Sequence, residues 1–307
     1  MPIHLDSQSR RRFLQNLSAT SAAVALSTTL RADESTTAMD DRFFALLSDT
    51  HISASPDGTA RGINMTDNLK SVISDIAGLE KRPANLIING DCALSVGSPG
   101  EYQNFANCVA PLDELGIHLH LTMGNHDDRE TLYEHFAKAR PTAQPVPVKH
   151  VGVLEGEFAN WFLIDTLIRP GHVAGEVGYE QMIWLTKELD ARPDKPAIVM
   201  GHHTLQFTPP KPGARWTGLW DTDALVEALQ ARPHVRALFY GHSHVWKTET
   251  IGNLQLINLP AVSYVFSEEI ANGWVSAHLD EHGMKLQFHT MDPKHPQNGT
   301  PLEVVWG

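Results

Sequence analysis

Five times in this chain a short apolar run ends and hands its last residues to aspartate, asparagine or histidine. The runs cover residues 43–48, 86–89, 117–123, 197–200 and 236–240. They deliver Asp49-Thr50-His51, Gly90-Asp91, Gly124-Asn125-His126-Asp127, Gly201-His202-His203 and Gly241-His242-Ser243-His244. Runs this short and this apolar read as buried strands. In open α/β sheets the carboxyl ends of strands are where sites are built. Asn, His and Asp are also ordinary turn residues, so one such cluster says little. Five of them at strand ends say a great deal.

Between the runs the period changes. Met65, Leu69, Val72, Ile76 and Leu79 recur at helical spacing, and that helix is expected to stop before Pro83. Further helices are expected over 100–115, 128–137, 178–190 and 222–230, with Met182, Trp184, Leu185 and Leu189 facing a core. Strand and helix alternation argues for a parallel sheet with helices on its faces. Short apolar runs also fall near 151–154 and 161–165, and the tail reads as successive strands with turns at 251–253 and 280–283. Residues 207–220 contain Pro209, Pro210, Lys211, Arg215, Trp216 and Trp220 without clear periodicity, and are long enough to form a lid. No internal repeat or second domain is marked.

A net charge of -12, from 36 acidic against 24 basic residues, argues against broad binding to nucleic acid, which needs a basic footprint. The 17 histidines exceed what solubility requires; His4, His135, His150, His172 and His295 read as surface residues without a role. Ser9-Arg10-Arg11-Arg12-Phe13-Leu14 resembles a twin-arginine export signal. The apolar stretch 17–30 behind it is diluted with Ser and Thr and is too short to span a bilayer. The chain therefore divides into a signal segment over 1–32, a polar linker over 33–41 and one domain over 42–307. The expected setting is periplasmic or extracellular, reached through the twin-arginine machinery, with no transmembrane segment in the mature chain. Cys92 and Cys108 read as two buried thiols, though an oxidising compartment would also permit a pair.

Asp49, His51, Asp91, Asn125, His202, His242 and His244 together offer carboxylate, amide oxygen and imidazole but no thiolate. Such a set suits Zn, Mn, Fe or Ni better than a sulfur cluster. Asp49 and His51, like His242 and His244, are two apart, so extended chain points each pair to one face. The glycines before Asp91, Asn125, His202 and His242 allow a sharp turn straight after each strand. Seven ligands exceed one tetrahedral ion but fit two ions sharing a carboxylate. Two such ions about 3.5–4 Å apart can bind the attacking and leaving oxygens of a phosphoryl displacement.

This ordered set resembles the calcineurin-like metallophosphoesterase family over about residues 43–290. The resemblance implies a four-layer α/β/β/α sandwich, derived from βαββαβ units, with a dinuclear site at strand carboxyl ends. It implies two divalent or trivalent ions (Fe, Mn or Zn), one held by Asp49, His51, Asp91 and His244. The other would be held by Asp91, Asn125, His202 and His242, with Asp91 bridging. His126 would protonate the leaving group or bind the phosphate, oriented by Asp127, and the substrate would be a small phosphomono- or phosphodiester. Gly90-Asp91-Cys92-Ala93-Leu94 lacks the Tyr of purple acid phosphatases. Gln181-x-x-Trp184-Leu185, Gly201-His202-His203 and Asn258-Leu259-Pro260-Ala261 look more like the class III cyclic nucleotide phosphodiesterase branch, although Thr204 stands where the family usually has Pro. A 3',5'-cyclic nucleotide phosphodiesterase and a non-catalytic scaffold on the same fold are the alternatives. His203 fits either a substrate contact or packing behind the site, and Arg215 and Trp216 fit either a substrate clamp or an exposed loop.

Overall fold

In β1 (Met39–Ser48) the last six residues are all buried, and their side chains alternate between two separate cores. Phe43, Ala45 and Leu47 enter one, while Phe44 and Leu46 enter the other. A strand covered on both faces needs an unbroken apolar run, which is what residues 43–48 supply. The structure, a computed structural model, describes residues 39–141 and 144–307. The segment read as an export signal lies outside the described residues.

After β1 come the short hairpin β2 (Thr59–Ala60) and β3 (Ile63–Asn64), then α1 (Met65–Ala77), β4 (Arg82–Asn89), α2 (Pro99–Val109) and α3 (Pro111–Leu115). Next are β5 (His118–Thr122), α4 (Arg129–His135), β6 (Gly152–Glu155), β7 (Asn160–Leu163) and α5 (Tyr179–Asp190). The chain continues with β8 (Ala197–Met200), α6 (Thr222–Gln230), β9 (Val235–Tyr240), β10 (Lys247–Ile251) and β11 (Leu254–Asn258). It closes with β12 (Gly273–Leu279), β13 (Gly283–Thr290) and β14 (Pro301–Val305).

One six-stranded sheet has the order β14-β13-β12-β1-β4-β5, the other β10-β11-β9-β8-β7-β6. Parallel pairing joins β1, β4 and β5 in the first, and β7, β8, β9 and β11 in the second. The remaining strands add antiparallel edges. The sheets pack face to face through Phe44, Leu46, Trp161, Ile198, Met200 and Phe239, among others. Leu69, Val72, Tyr102 and Phe105 of α1 and α2 cover the outer face of the first sheet. Leu185, Leu189, Leu225 and Leu229 of α5 and α6 cover the second. The result is a four-layer α/β/β/α sandwich in which β1, β4, β5, β8 and β9 end near one another.

Several boundaries differ from the sequence expectation. The helix expected over 100–115 is two helices, because Pro111 lacks the N–H that would continue α2 and instead opens α3 at its first position. The expected linker over 33–41 ends early: β1 already begins at Met39, where Met39 and Asp40 pair with Arg82 and Pro83. His150 is not a surface residue. It is 8% exposed, its Nε2 donates to the Leu121 carbonyl (3.0 Å), and its Nδ1 lies 2.8 Å from the Tyr133 hydroxyl. Cys92 and Cys108 are both buried and free. Burial pushes both thiols up, Cys108 to about 11.

A buried polar junction ties α4, α5 and the loops between them. Asp165 is fully buried and takes two hydrogen bonds from Arg129 (2.6 and 2.8 Å), plus the amides of His150 (2.7 Å) and Leu167 (2.9 Å). Lys149 Nζ donates to the carbonyls of Asp165, Leu167 and Glu176 at 3.0–3.1 Å. Gln181 completes the junction: its amide oxygen accepts from Asp165 N, and its Nε2 donates to the Asp165 and Val177 carbonyls. Because a charge left buried without its partner is costly, Asp165→Ala is expected to lower the unfolding free energy by about 3–5 kcal/mol. Urea denaturation followed by far-UV circular dichroism would measure it, and a loss below about 1 kcal/mol would remove the junction from the stability argument.

Candidate metal centre

The turns after β1 and β4 are hydrogen-bonded to each other before any side chain is considered. Asp49 N donates to Gly90 O (3.2 Å), His51 N to Asp91 O (2.9 Å) and Ile52 N to Cys92 O (2.8 Å). This places Asp49, His51 and Asp91 together at one end of the first sheet. Asn125 and His126 follow β5 on the same side, and β8 and β9 bring His202, His203, His242 and His244 from the second sheet.

The backbone here is strained. Seven described residues other than glycine have positive φ, and five of them are Asp49, His51, Asp91, His242 and His244. Left-handed conformation costs roughly 1–2 kcal/mol for a residue with a Cβ, though Asp and His tolerate it better than most. The glycines serve two different purposes, a correction to the sequence reading. Gly90 has φ 72 and supplies a turn conformation. Gly124, Gly201 and Gly241 do not have positive φ; they are small because something lies against them. A Cβ on Gly124 would collide with the Asp91 carboxylate, and one on Gly241 with Ser48 and with Asp49 Oδ2.

Each of the two carboxylates has one oxygen tied down and one free. Asp49 Oδ2 accepts from Ser48 Oγ (2.5 Å) and His242 N (3.1 Å). Asp49 Oδ1 is buried without a partner and lies 3.3 Å from His244 Nε2 and 3.9 Å from the Nε2 atoms of His51 and His202. Asp91 Oδ1 accepts from His126 N (2.8 Å). Asp91 Oδ2 stands between two imidazoles, 3.5 Å from His51 Nε2 and 3.3 Å from His202 Nε2. Two potential metal-binding groups result, Asp49-His51-His244 and Asp91-His202-His242, and a third group, His51-Asp91-His126, joins them.

The imidazoles are oriented from behind. His202 Nδ1 donates to Asn89 O (2.8 Å) and His244 Nδ1 to Tyr264 O (2.6 Å), so both rings turn Nε2, the atom that would bind a cation, toward the carboxylates. The contact between His202 Nε2 and Asp91 lacks hydrogen-bond geometry, and Asn125 Oδ1 is likewise buried with no partner. Buried polar atoms left unsatisfied cost about 1–3 kcal/mol each. Asp49 Oδ1, Asn125 Oδ1 and His202 Nε2 are all of this kind, all oxygen or nitrogen, and they fit a pair of cations. Burial opposes ionisation of Asp49 and Asp91, but the imidazoles outweigh it, His244 and His202 for Asp49 and His202 and His51 for Asp91. Both carboxyls fall below the ordinary range. Burial alone would lower His202, yet Asp91 and Asp49 raise it to about 10, whereas burial takes His51 and His242 down to about 4.

Asp127 does not orient His126. Its fully buried carboxylate accepts from the amides of Cys92 (3.0 Å), Ala93 (3.2 Å) and Gly124 (2.9 Å) and from Tyr102 Oη (3.1 Å), so its lone pairs are spent on backbone and phenol. Burial and the Asp91 charge push it up to about 6 against those amides. His126 is half-buried, its ring meets His51 edge-on at 4.8 Å, and its Nδ1 has no partner. His203 is buried behind the second group, 4.9 Å ring to ring from His242, with Nδ1 2.7 Å from Thr166 Oγ1 and Nε2 unpartnered. Arg215 is exposed and Trp216 half-buried on the loop after β8, and neither belongs to the metal-binding groups. That loop is closed at its base by Leu219 N on Thr204 O (2.9 Å). His118 is exposed, and His120 is engaged with Asn85 Oδ1 at 2.9 Å. Residue reasoning missed Ser48 and Tyr264, which hold Asp49 and His244 from behind, and Thr166, which holds His203; only Tyr264, an aromatic soon after Asn258-Leu259-Pro260-Ala261, left a trace in sequence.

The calcineurin-like phosphoesterase family model matches residues 44–246, and the chain belongs to that family. It is 28% identical over 232 residues to a cAMP/cGMP dual specificity phosphodiesterase of Mycobacterium tuberculosis, covering 74% of this chain and 69% of that one. It is also 28% identical over 221 residues to the glycerophosphodiester phosphodiesterase GpdQ of Enterobacter lignolyticus, covering 71% and 76%. Among solved structures, a dimetal phosphatase from Danio rerio has a similar fold, with a TM-score of 0.65, 16% identity, and coverage of 86% of this chain and 99% of that one. The similarity to cyclic nucleotide phosphodiesterases agrees with the branch suggested by the Gln181 and Asn258 patterns.

Since Gly124 leaves no room beside Asp91, Gly124→Ala is expected to displace that carboxylate and weaken metal affinity by about 10–100-fold. Gly152→Ala, where a Cβ meets nothing within 4 Å, is the control. Metal titration by calorimetry reads both, and equal affinities would mean that the close approach of the two turns is unimportant.

Proposed function

We propose that this chain hydrolyses phosphomono- or phosphodiesters, diesters foremost, with two metal ions in the Asp–His cluster. One position takes Asp49, His51, Asp91 and His244; the other takes Asp91, Asn125, His202 and His242, with Asp91 shared. The observation that carries the reading is Asp91 Oδ2, set between His51 and His202 at 3.5 and 3.3 Å while Oδ1 is tied to the His126 amide. A donor set of carboxylate, amide and imidazole suits Fe, Mn or Zn. When bound, two such cations lower the pKa of a water and neutralise phosphoryl oxygens.

The protein's own part is to aim and to exclude. Ser48 and the His242 amide hold Asp49, the His126 amide holds Asp91, and Asn89 and Tyr264 hold the His202 and His244 rings. His126, half-buried at the rim, is placed to hand a proton to the departing oxygen. Names of relatives support a diester substrate, including a cyclic nucleotide. A non-catalytic scaffold is the weaker reading, since it would leave five strained residues and three unsatisfied buried polar atoms without any return. No described helix is long and apolar enough to cross a membrane. The net charge of -12 supports a small-molecule substrate over nucleic acid.

Metal-reconstituted protein assayed on panels of mono- and diesters tests this reading. Asp91→Asn is expected to abolish turnover and to lower metal content at both positions, whereas His244→Ala weakens mainly one. His126→Ala should keep its metal and lose about 10²–10⁴ in rate on alkyl esters, but much less on nitrophenyl esters whose leaving group needs no proton. A fully loaded, active Asp91→Asn protein would sink the shared-ligand assignment.

We further propose export through the twin-arginine route to a periplasmic or extracellular setting, on the strength of Arg10, Arg11 and Arg12. Replacing all three with Lys is expected to retain the protein in the cytoplasm on fractionation. Unchanged export would leave the segment as a basic tail.

A further inference from the structure

Tyr264 and Phe266 lie on the loop between β11 and β12, at the rim of the first metal-binding group. The Tyr264 ring stacks on His51 with centroids 5.3 Å apart and planes at 24°, and stands 5.0 Å from His244. Phe266 lies 4.7 Å from His244 and meets Tyr264 edge to face at 5.9 Å. Over both rings reaches Arg61, its guanidinium carbon 4.6 Å from the Phe266 centroid and 5.8 Å from that of Tyr264. Arg61 and Gly62 form the turn of the β2–β3 hairpin with φ 53 and 78, the pair of positive values that a two-residue hairpin favours.

An exposed aromatic ring is ordinary by itself. This one is 52% exposed, leans on the imidazole of a candidate ligand and is covered by a guanidinium. Arg61 is exposed and, among the described residues, has no carboxylate partner. It also adopts a backbone conformation that Gly or Asn would take at lower cost. Both rings therefore flank the His244 imidazole, and the guanidinium lies over their outer side. A phosphorus atom held at the cluster would extend its ester substituent along these rings toward Arg61. An alkyl alcohol gains little there. A flat ring with acceptor atoms on its edge gains apolar contact with the exposed side of Phe266, and stacking and hydrogen bonds from the planar guanidinium of Arg61.

We propose that Arg61, Tyr264 and Phe266 form a subsite for a flat heteroaromatic substituent of the nucleobase kind, a proposal that rests on the phosphoesterase reading of the cluster. Both test positions are exposed, so Phe266→Leu and Arg61→Asn should fold, Asn being at ease at positive φ. The probes are AMP and glycerol 3-phosphate, titrated calorimetrically into metal-loaded protein, together with kcat/KM on a nucleotidyl and an alkyl diester. Each variant is expected to weaken AMP about tenfold or more and to lower kcat/KM on the nucleotidyl diester alike. Glycerol 3-phosphate binding, alkyl-diester turnover and metal content should stay within about twofold. Equal effects on both probes, or none, would overturn the subsite while leaving the phosphoesterase reading intact. Wild-type protein that binds neither probe and cleaves no ester would overturn both, and its metal content would say whether the cluster itself failed.

Discussion

Asp127 accepts hydrogen bonds from Cys92, Ala93, Gly124 and Tyr102, and through them it staples the turn after β5 to the turn after β4. Among the described residues no other side chain makes as many hydrogen bonds between these two loops. With the staple in place, Gly124 lies against the Asp91 carboxylate and the His126 amide reaches Asp91 Oδ1. Asp91 can then offer its remaining oxygen to His51 and His202. The arrangement is costly, since burial and the nearby Asp91 charge push the Asp127 carboxyl up to about 6. Amide donors from the backbone offset that cost, because they are rigid and cannot leave.

The same pattern of cost and return recurs around the cluster. Left-handed backbone at Asp49, His51, Asp91, His242 and His244, and unsatisfied polar atoms at Asp49, Asn125 and His202, all oppose folding. The sandwich outweighs them because its central strands are buried on both faces, between three apolar cores. A cation that binds only the folded chain adds to stability by mass action. Strain at the site and affinity for metal are thus two sides of one arrangement: the backbone holds the donors apart from any partner but an ion.

What could be read in sequence was whatever depends on local order. The runs 43–48 and 197–200 became strands because an apolar run covered on both faces has few other fates, and their last residues point where the strands point. The ligand sets could be grouped in advance because the resemblance carried their order along the chain. Contacts between distant segments were not readable. Asp127 stands next to His126 in the chain, yet a tight turn sends its carboxylate to Tyr102 and Cys92, away from the orienting role that the resemblance implied. Gly124 and Gly241 looked like turn glycines, whereas their reason is a side chain from another strand. Gln181, part of a pattern that suggested the branch, belongs to the Asp165 junction rather than to the cluster. The break at Pro111 is different: the chemistry of proline was there to be used.

The division of labour between strands and loops explains why the cluster and the rim were unequally legible. The ligands sit within a few residues of strand ends, where the ladder sets their positions and leaves little room for drift. Arg61 sits on a two-residue turn, and Tyr264 and Phe266 on a loop after β11. Loops tolerate substitution and insertion far better than buried strands, which is why one scaffold can keep its chemistry and change its substrate. Tyr264 belongs to both parts, since its carbonyl orients His244 while its ring covers His51 at the rim. Backbone chemistry at that position is indifferent to the side chain, so the ring is free to vary with the substrate while the hydrogen bond to His244 persists.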